Sequence, residues 1–338
     1  MKLNYAEVVS STNEIIEEYS VPLTVRQTYY RLISPPFQLF ANNLNNYKGF
    51  DKILTRARER GDIDWRRLED RARSTIGVAC RLFGTQTRVV TSMSDFEYCW
   101  NSGEHYLNTV LDELKNCHND FGLSMWETQP QYMEVWVEKD ALASLFSTVA
   151  RGFRVIVFPS RGYSSLTKIK EAVEDRFMER IKHGQYIGVL HFTDHDPSGL
   201  NMTSDINKRL GEYLKHALIK LDEDDHETFK QIINKINTNK KSLCQITRCA
   251  LTYEQVKRFN LASNPTKLSD SRAKEYNVKY GDECWELDAL PPDELQKIIR
   301  SAIIDSIDSK AWTARQNLIE QERSALQAKL QKLKISFE

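Results

Sequence analysis

The sequence has no net charge, no cysteines paired at metal-ligand spacing and no long apolar run, and each absence removes a class of function. Its 47 basic and 47 acidic residues cancel, so any nucleic-acid surface must be a local patch rather than a field of the whole molecule. The six cysteines, Cys80, Cys99, Cys117, Cys244, Cys249 and Cys284, include no C-x-x-C pair. That spacing leaves no legible zinc site and, in a chain of this length, points to reduced thiols rather than a disulfide framework. Cys117 and His118 are adjacent rather than spaced as ligands, so a structural role is expected for them. There is no N-terminal signal stretch and no run near the ~18 apolar residues of a membrane span. No membrane partner and a cytoplasmic location are therefore expected. Repeats, low-complexity tracts and a P-loop signature are also missing, and with the last goes any expectation of ATP binding. At 338 residues with 41% hydrophobic content, the chain has room for two domains and a substantial core.

What the sequence does have is two carboxylate clusters about fifty residues apart: Glu138 in EVWVEKDAL, and Asp194 with Asp196 in YIGVLHFTDHDPSGL. Each stands where a short hydrophobic run ends, Val135-Trp136-Val137 in one case and Ile187-Gly188-Val189-Leu190 in the other. Both runs lead into helical patterns, as buried strands of a parallel sheet do, so the fold class is α/β. A further βα unit lies between them, with a strand over Arg154 to Pro159 and a helix from about Ser164. Parallel sheets place ligand sites at the carboxyl ends of their strands. In extended backbone alternate residues share a side, so Asp194 and Asp196 converge while His195 points away, and Pro197 and Gly199 turn the chain into the next helix. Three carboxylates without an evident cationic partner repel one another, and Mg²⁺, with Mn²⁺ as a substitute, is the simplest compensation. The competing account of a bare D-x-D is a solvated turn with a helix cap.

The amino-terminal region reads as several helices. In Thr24 to Ile33, Thr24 can cap, and Val25, Tyr29, Leu32 and Ile33 form one buried stripe. Tyr30 lies off that stripe, and Arg26, four residues earlier, can lie close to its phenol. Spacing thus gives Tyr29 to the core and Tyr30 to a partner, with an amphipathic surface tyrosine as the account of Tyr30 that spacing alone favours. From Asp51 to Arg73 there are eight basic and six acidic residues around Phe50, Ile53, Leu54 and Ala57. Arg56, Arg58 and Arg60 are candidate phosphate contacts on a helix that Gly61 ends before Ile63-Asp64-Trp65, although a solvated, salt-bridged helix explains the charges equally well.

The connecting stretch from 79 to about 130, including Met93-Ser94-Asp95-Phe96 and a helix near Tyr106 to Leu114, shows no chemistry. Beyond the acidic turn a helix continues over 200 to 217, and Asp222 to Lys241 is expected to be an exposed helical insert or loop. A strand over Ile246 to Thr252, a helix from Tyr253 and a loop at Ser263 to Lys267 follow. Arg272 and Lys274 are further candidate DNA contacts, although a charged loop explains them as well. Leu295, Ile298, Ile299, Ala302, Ile303 and Ile307 mark an amphipathic helix, and a last helix carries Leu326, Leu330 and Leu333.

The order Glu138, a βα unit, then D-x-D-P-x-G resembles the Toprim fold of topoisomerases, bacterial primases and some nucleases, where such an acidic set binds Mg²⁺ beside a DNA phosphate. Val25-Arg26-Gln27-Thr28-Tyr29-Tyr30 resembles the R-x-x-[YF]-Y helix in the winged-helix, CAP-like domain of the DNA-cleaving subunit of topoisomerase VI, a type IIB enzyme, and of its meiotic double-strand-break relative. Cys284 to Pro292 resembles the E-L-D-A-L segment of the same family, where it is largely structural. The resemblance implies a winged-helix domain over 1–78, a helical connector over 79–130, and a Toprim domain with a C-terminal helical extension over 131–338. It implies Tyr30 as the DNA-cleaving tyrosine, Arg26 as its arginine, and Glu138, Asp194 and Asp196 as the Mg²⁺ set. The partners it implies are double-stranded DNA and a second copy of the chain, the tyrosine of one copy meeting the metal site of the other. Only 29 residues precede Tyr30, whereas the cleaving subunit of topoisomerase VI has a longer region there that contacts a separate, ATP-hydrolysing subunit. The chain is thus most similar to compact stand-alone homologues of the cleaving subunit from plasmids, viruses and prokaryotes, and neither ATP nor an ATPase partner is expected. Two alternatives stay open: a Toprim nuclease cutting by water, and a DNA-binding module that leaves DNA intact.

Overall fold

The β-branched and aromatic runs form strands because they can be buried on both faces. In the computed structural model Gln131–Val137, Ile156–Pro159, Tyr186–Phe192 and Cys244–Ala250 make one four-stranded, wholly parallel sheet. Gln131–Val137 and Tyr186–Phe192 lie side by side at its centre, flanked by Ile156–Pro159 and Cys244–Ala250 respectively. The Ile156–Pro159 strand begins two residues after the expected start at Arg154, which has a positive φ of 54°. Helices Ala143–Arg151, Pro197–Asp224 and Pro292–Asp305 pack on the sheet, and the first and last of them also on each other. The structure describes residues 3–19, 22–64, 67–69, 78–81, 87–90, 102–160, 166–239, 241–267 and 269–332. Trp65, the Met93 to Phe96 segment, Cys99, the expected helix start at Ser164 and Leu333 lie outside them.

The central strand holds a buried acid that local pattern does not signal. Glu134 is completely buried, and Arg176 grips it with two hydrogen bonds of 2.6 and 3.0 Å while Tyr132 and Trp136 donate to the same carboxylate at 3.0 Å. Arg176 reaches it from a π-helical turn, Ala172–Phe177. Removing one partner of a buried pair strands the other charge. Arg176→Ala is therefore expected to lower stability by about 3–5 kcal/mol, read as a fall in the urea midpoint. A loss below about 1 kcal/mol, the size expected of a surface pair, would contradict this account.

The amino-terminal helices Tyr5–Glu18, Val25–Ile33 and Leu44–Arg60 share a core that includes Ile15, Leu23, Tyr29, Leu32, Phe50 and Leu54. Thr24 caps the second helix in a full capping box with Gln27, and Gly61 ends the third in the left-handed region at φ 79°, as the sequence implied.

The chain gathers into two compact units. Residues 1–72 form one unit with 130–307, and residues 73–129 form the other with 308–338. The first unit is joined by side chains of the Val25–Ile33 helix reaching residues 286 and 289. In the second, the Ser309–Lys332 helix packs near Gly103–Asn116, Trp312 meets Trp126 edge-on at 5.8 Å, and Arg315 pairs with Glu127. An antiparallel pair, Val78–Arg81 with Thr87–Val90, also belongs to it. The expected insert over 222 to 241 is the end of Pro197–Asp224 and the helix His226–Asn239, packed together. No helix among the described residues is long and apolar enough to cross a membrane.

Candidate active site, a tyrosine helix against a carboxylate cluster

Strand register brings the two acidic motifs together. Val137 pairs with Phe192, and Glu138 N–H donates to Phe192 O at 2.9 Å, so the residues that follow each strand are neighbours. Glu138 Oε2 accepts from the Thr193 hydroxyl and, at 3.2 Å, from Asp194 N–H. Asp196 caps the Pro197–Asp224 helix, its Oδ1 accepting from Gly199 N–H at 2.6 Å. A Cβ at Gly199 would stand 2.2 Å from Asp194 O and 2.6 Å from Thr193 Oγ1, so only glycine lets this helix start so close beneath the acidic turn. The capped turn and the acidic cluster are thus one structure.

His195 turns the other way, as alternation required. Its Nδ1 lies 2.9 Å from the Tyr276 hydroxyl, and its backbone exchanges hydrogen bonds of 2.8 and 3.0 Å with Trp285. Burial, with Arg248 nearby, lowers its pKa to about 4 and keeps the ring neutral. This clamp places the segment 285–288 beside the D-x-D turn, and two more carboxylates, Glu286 and Asp288, come with it.

The expectation that these carboxylates have no cationic partner is corrected by Lys139. Its ammonium lies 3.1 Å from Asp194, 3.0 Å from Glu286 and 2.6 Å from Asp288. Burial opposes its charge, but Asp194, Asp288 and Glu286 outweigh that and hold its pKa well above the usual lysine value. Lys139 follows Glu138 in sequence, and neighbours in extended backbone point apart, which hid the contact. Asp194 also accepts from Leu287 N–H at 2.7 Å. One positive charge does not satisfy the cluster: burial and then Asp194 raise the pKa of Glu138, and burial with Asp194 raises that of Asp196.

Carboxylate oxygens are the ligands that a hard divalent cation takes. One oxygen each of Glu138, Asp194 and Asp196 is engaged as described, and among the described residues nothing donates to the other. As arranged, no group of three or more His, Cys, Asp or Glu side chains among the described residues could hold a metal ion. Mg²⁺ commonly uses only one or two carboxylates plus waters and substrate phosphate, and that smaller requirement fits these residues.

The tyrosine helix lies against the same cluster within one chain. Arg26 Nη2 is 2.5 Å from Glu286 Oε1, Arg31 donates to Ala289 O, and Asn264 Nδ2 donates to the Tyr30 hydroxyl at 2.8 Å. Tyr29 sits in the helical core as expected, edge-on to Tyr47 at 5.0 Å. Tyr30 does not project to a partner: it is 1% exposed, covered by its own chain. The helical stripe assigned its face correctly, but the short strand Asn264–Pro265, over two hundred residues away and not the loop expected at Ser263 to Lys267, decides what covers that face. Burial first and Glu286 second push the Tyr30 phenol well above its usual pKa, so it is protonated at rest.

The basic residues are less concentrated. Arg56 and Arg60 are exposed and stack over Tyr5 at 5.6 and 5.7 Å, and Arg58 on the same helix is half-buried. Arg272 is held by both oxygens of Asp270 at 2.7 and 2.8 Å, whereas Lys274 is exposed. Neither belongs to the cluster around Lys139. Sequence reading missed Lys139, Glu286, Asp288 and Asn264 as parts of the site. The E-L-D segment is the one legible signal among them, and the resemblance gives it a structural role. Compared with family models, curated proteins and solved structures, the chain matches none.

Proposed function

We propose that the protein cleaves double-stranded DNA by transesterification, Tyr30 being the nucleophile and Glu138, Asp194 and Asp196 the Mg²⁺-binding set. The observation that carries this reading is the line of ion pairs from Arg26, one helical turn before Tyr30, through Glu286 and Lys139 to Asp194. It puts a phenol, two cations and a divalent-cation donor set in one place, the ingredients of phosphoryl transfer to tyrosine. In the step, Tyr30 Oη forms a bond to phosphorus, the bond from phosphorus to a deoxyribose oxygen breaks, and that oxygen takes up the proton the phenol gives up. The phosphodiester is exchanged rather than hydrolysed, so it can be resealed. Arg26 offsets charge on the phosphate. A bound divalent cation would supply Lewis-acid stabilisation of the same phosphate oxygens.

Three amino-terminal helices, the second capped at Thr24 and the third closed at Gly61, followed by a parallel sheet with acids at its carboxyl edge, support a winged-helix and Toprim pairing. One nucleophilic tyrosine, Tyr30, per chain and two strands per duplex support a homodimer that works without an ATPase partner. The experiment is incubation with supercoiled plasmid and Mg²⁺ or Mn²⁺, a detergent quench, and analysis with and without protease. Linear DNA that carries protein until protease is added is the expected result. The deep burial of Tyr30 favours a second reading, a metal-dependent nuclease using water, and that enzyme would give free ends in both halves of the sample. Intact plasmid that is nonetheless bound would leave only a DNA-binding module.

A further inference from the structure

Glu286 is the one carboxylate that joins the two halves of this site. Arg26 Nη2 holds its Oε1 at 2.5 Å, and Lys139 Nζ holds its Oε2 at 3.0 Å. A carboxylate and a phosphodiester each offer two oxygens on one centre that share a single negative charge, and Arg and Lys bind either. Arg26 is one helical turn from Tyr30, and Lys139 directly follows Glu138, so the bridge lies between the nucleophile and the divalent-cation donors. The Arg26 side chain is 47% exposed, and the bridge therefore borders solvent. The residues on either side of Glu286 are anchored, Trp285 by His195 and Leu287 by Asp194. Glu286 itself has ordinary extended backbone, φ −92° and ψ 147°, and its side chain can turn away without moving the chain.

We infer that Arg26 and Lys139 form a subsite for a DNA phosphodiester, and that Glu286 occupies it in the resting protein and leaves it when DNA binds. The identity of the ligand rests on the DNA-cleavage reading above. Glu286 is then a gate: it keeps both cations ordered until a phosphate competes for them.

The test is equilibrium binding of a short fluorescent duplex in EDTA, where no cleavage occurs, to the full-length protein and its variants. Glu286→Gln keeps the length and an acceptor oxygen but removes the competing charge. It is expected to bind the duplex about tenfold more tightly, the equivalent of one charge-assisted hydrogen bond. Adding Arg26→Gln to that variant is expected to erase the gain. Arg26→Gln alone is expected to weaken binding and lower the slope of log affinity against log salt by about one. Unchanged or weaker binding by a Glu286→Gln protein that melts like the wild type would overturn the inference. So would a gain that survives in the double variant, since that is a general charge effect. Should Glu286→Gln fail to fold, Arg26→Gln decides, and an unchanged affinity and salt slope would sink the subsite. Tighter binding by Glu286→Gln without any covalent adduct from the wild type would retain the subsite and reject tyrosine cleavage. An adduct from the wild type with no change in affinity would do the reverse.

Discussion

Tyr30→Phe is expected to abolish the protease-sensitive link between protein and DNA completely, because phenylalanine has no oxygen to bond phosphorus. The fold should survive. The substitution removes one hydrogen bond, the 2.8 Å donation from Asn264, worth about 1 kcal/mol. The ring packing against Tyr29, 5.9 Å between centroids, is retained. Duplex binding should likewise persist, since Arg26 and Lys139 are untouched. The measurement is the detergent-quenched plasmid assay run on the variant beside the wild type, with a melting curve to confirm folding. An adduct that persists on the Phe variant removes Tyr30 from the chemistry, and cleavage that persists without any adduct on either protein assigns the reaction to water.

Lys139→Met should be the most damaging change to stability at the site. The ammonium is 20% exposed and sits among Asp194, Glu286 and Asp288; a thioether of similar length leaves all three without it. Loss of one partner from a buried ionic cluster costs about 3–5 kcal/mol. The pH dependence has a definite sign. Lys139 lowers the pKa of Glu138, Asp196 and Glu286, each of which is already raised by burial above the usual carboxylate range. A carboxylate whose folded pKa is raised favours the folded state when protonated, and that contribution is lost as pH rises through the folded pKa. Without the lysine those values rise further. The variant's deficit in EDTA is thus expected to be largest at neutral pH and to shrink as the pH falls through the carboxylate range. Mg²⁺ at neutral pH is expected to narrow it too, because a cation bound by the same carboxylates replaces the missing charge. Melting temperatures at the two pH values, with and without Mg²⁺, check both statements. A deficit that is constant with pH would mean the lysine acts by packing alone.

Local features of the chain were legible because they depend on near neighbours. The capping box at Thr24, the stop at Gly61, the two central strands, the opposite directions of Asp194 and His195, and the Pro292–Asp305 helix follow from hydrogen-bonding capacity and side-chain periodicity within a few residues. The acidic residues at the strand ends were legible too, since parallel pairing in register carries both motifs to the same sheet edge. The division into units was not, because a contact such as Gln129 with Asp308, through hydrogen bonds of 2.8 and 3.2 Å, leaves no trace in local pattern. Nor was the Arg176 grip on Glu134: a buried acid in a hydrophobic strand has no periodic signature that names its partner.

By itself, the sequence determined the parallel α/β core, the turn that carries Asp194 and Asp196, and the helix on which Arg26 and Tyr30 lie one turn apart. The tertiary structure alone decided that Lys139 neutralises part of the acidic cluster and that Glu286 ties it to Arg26. It also decided that Asn264 closes over Tyr30. The reason is physical: helix and strand geometry propagate only along the chain, whereas charge pairing and burial act through space, between residues that the fold brings within about 3 Å of one another.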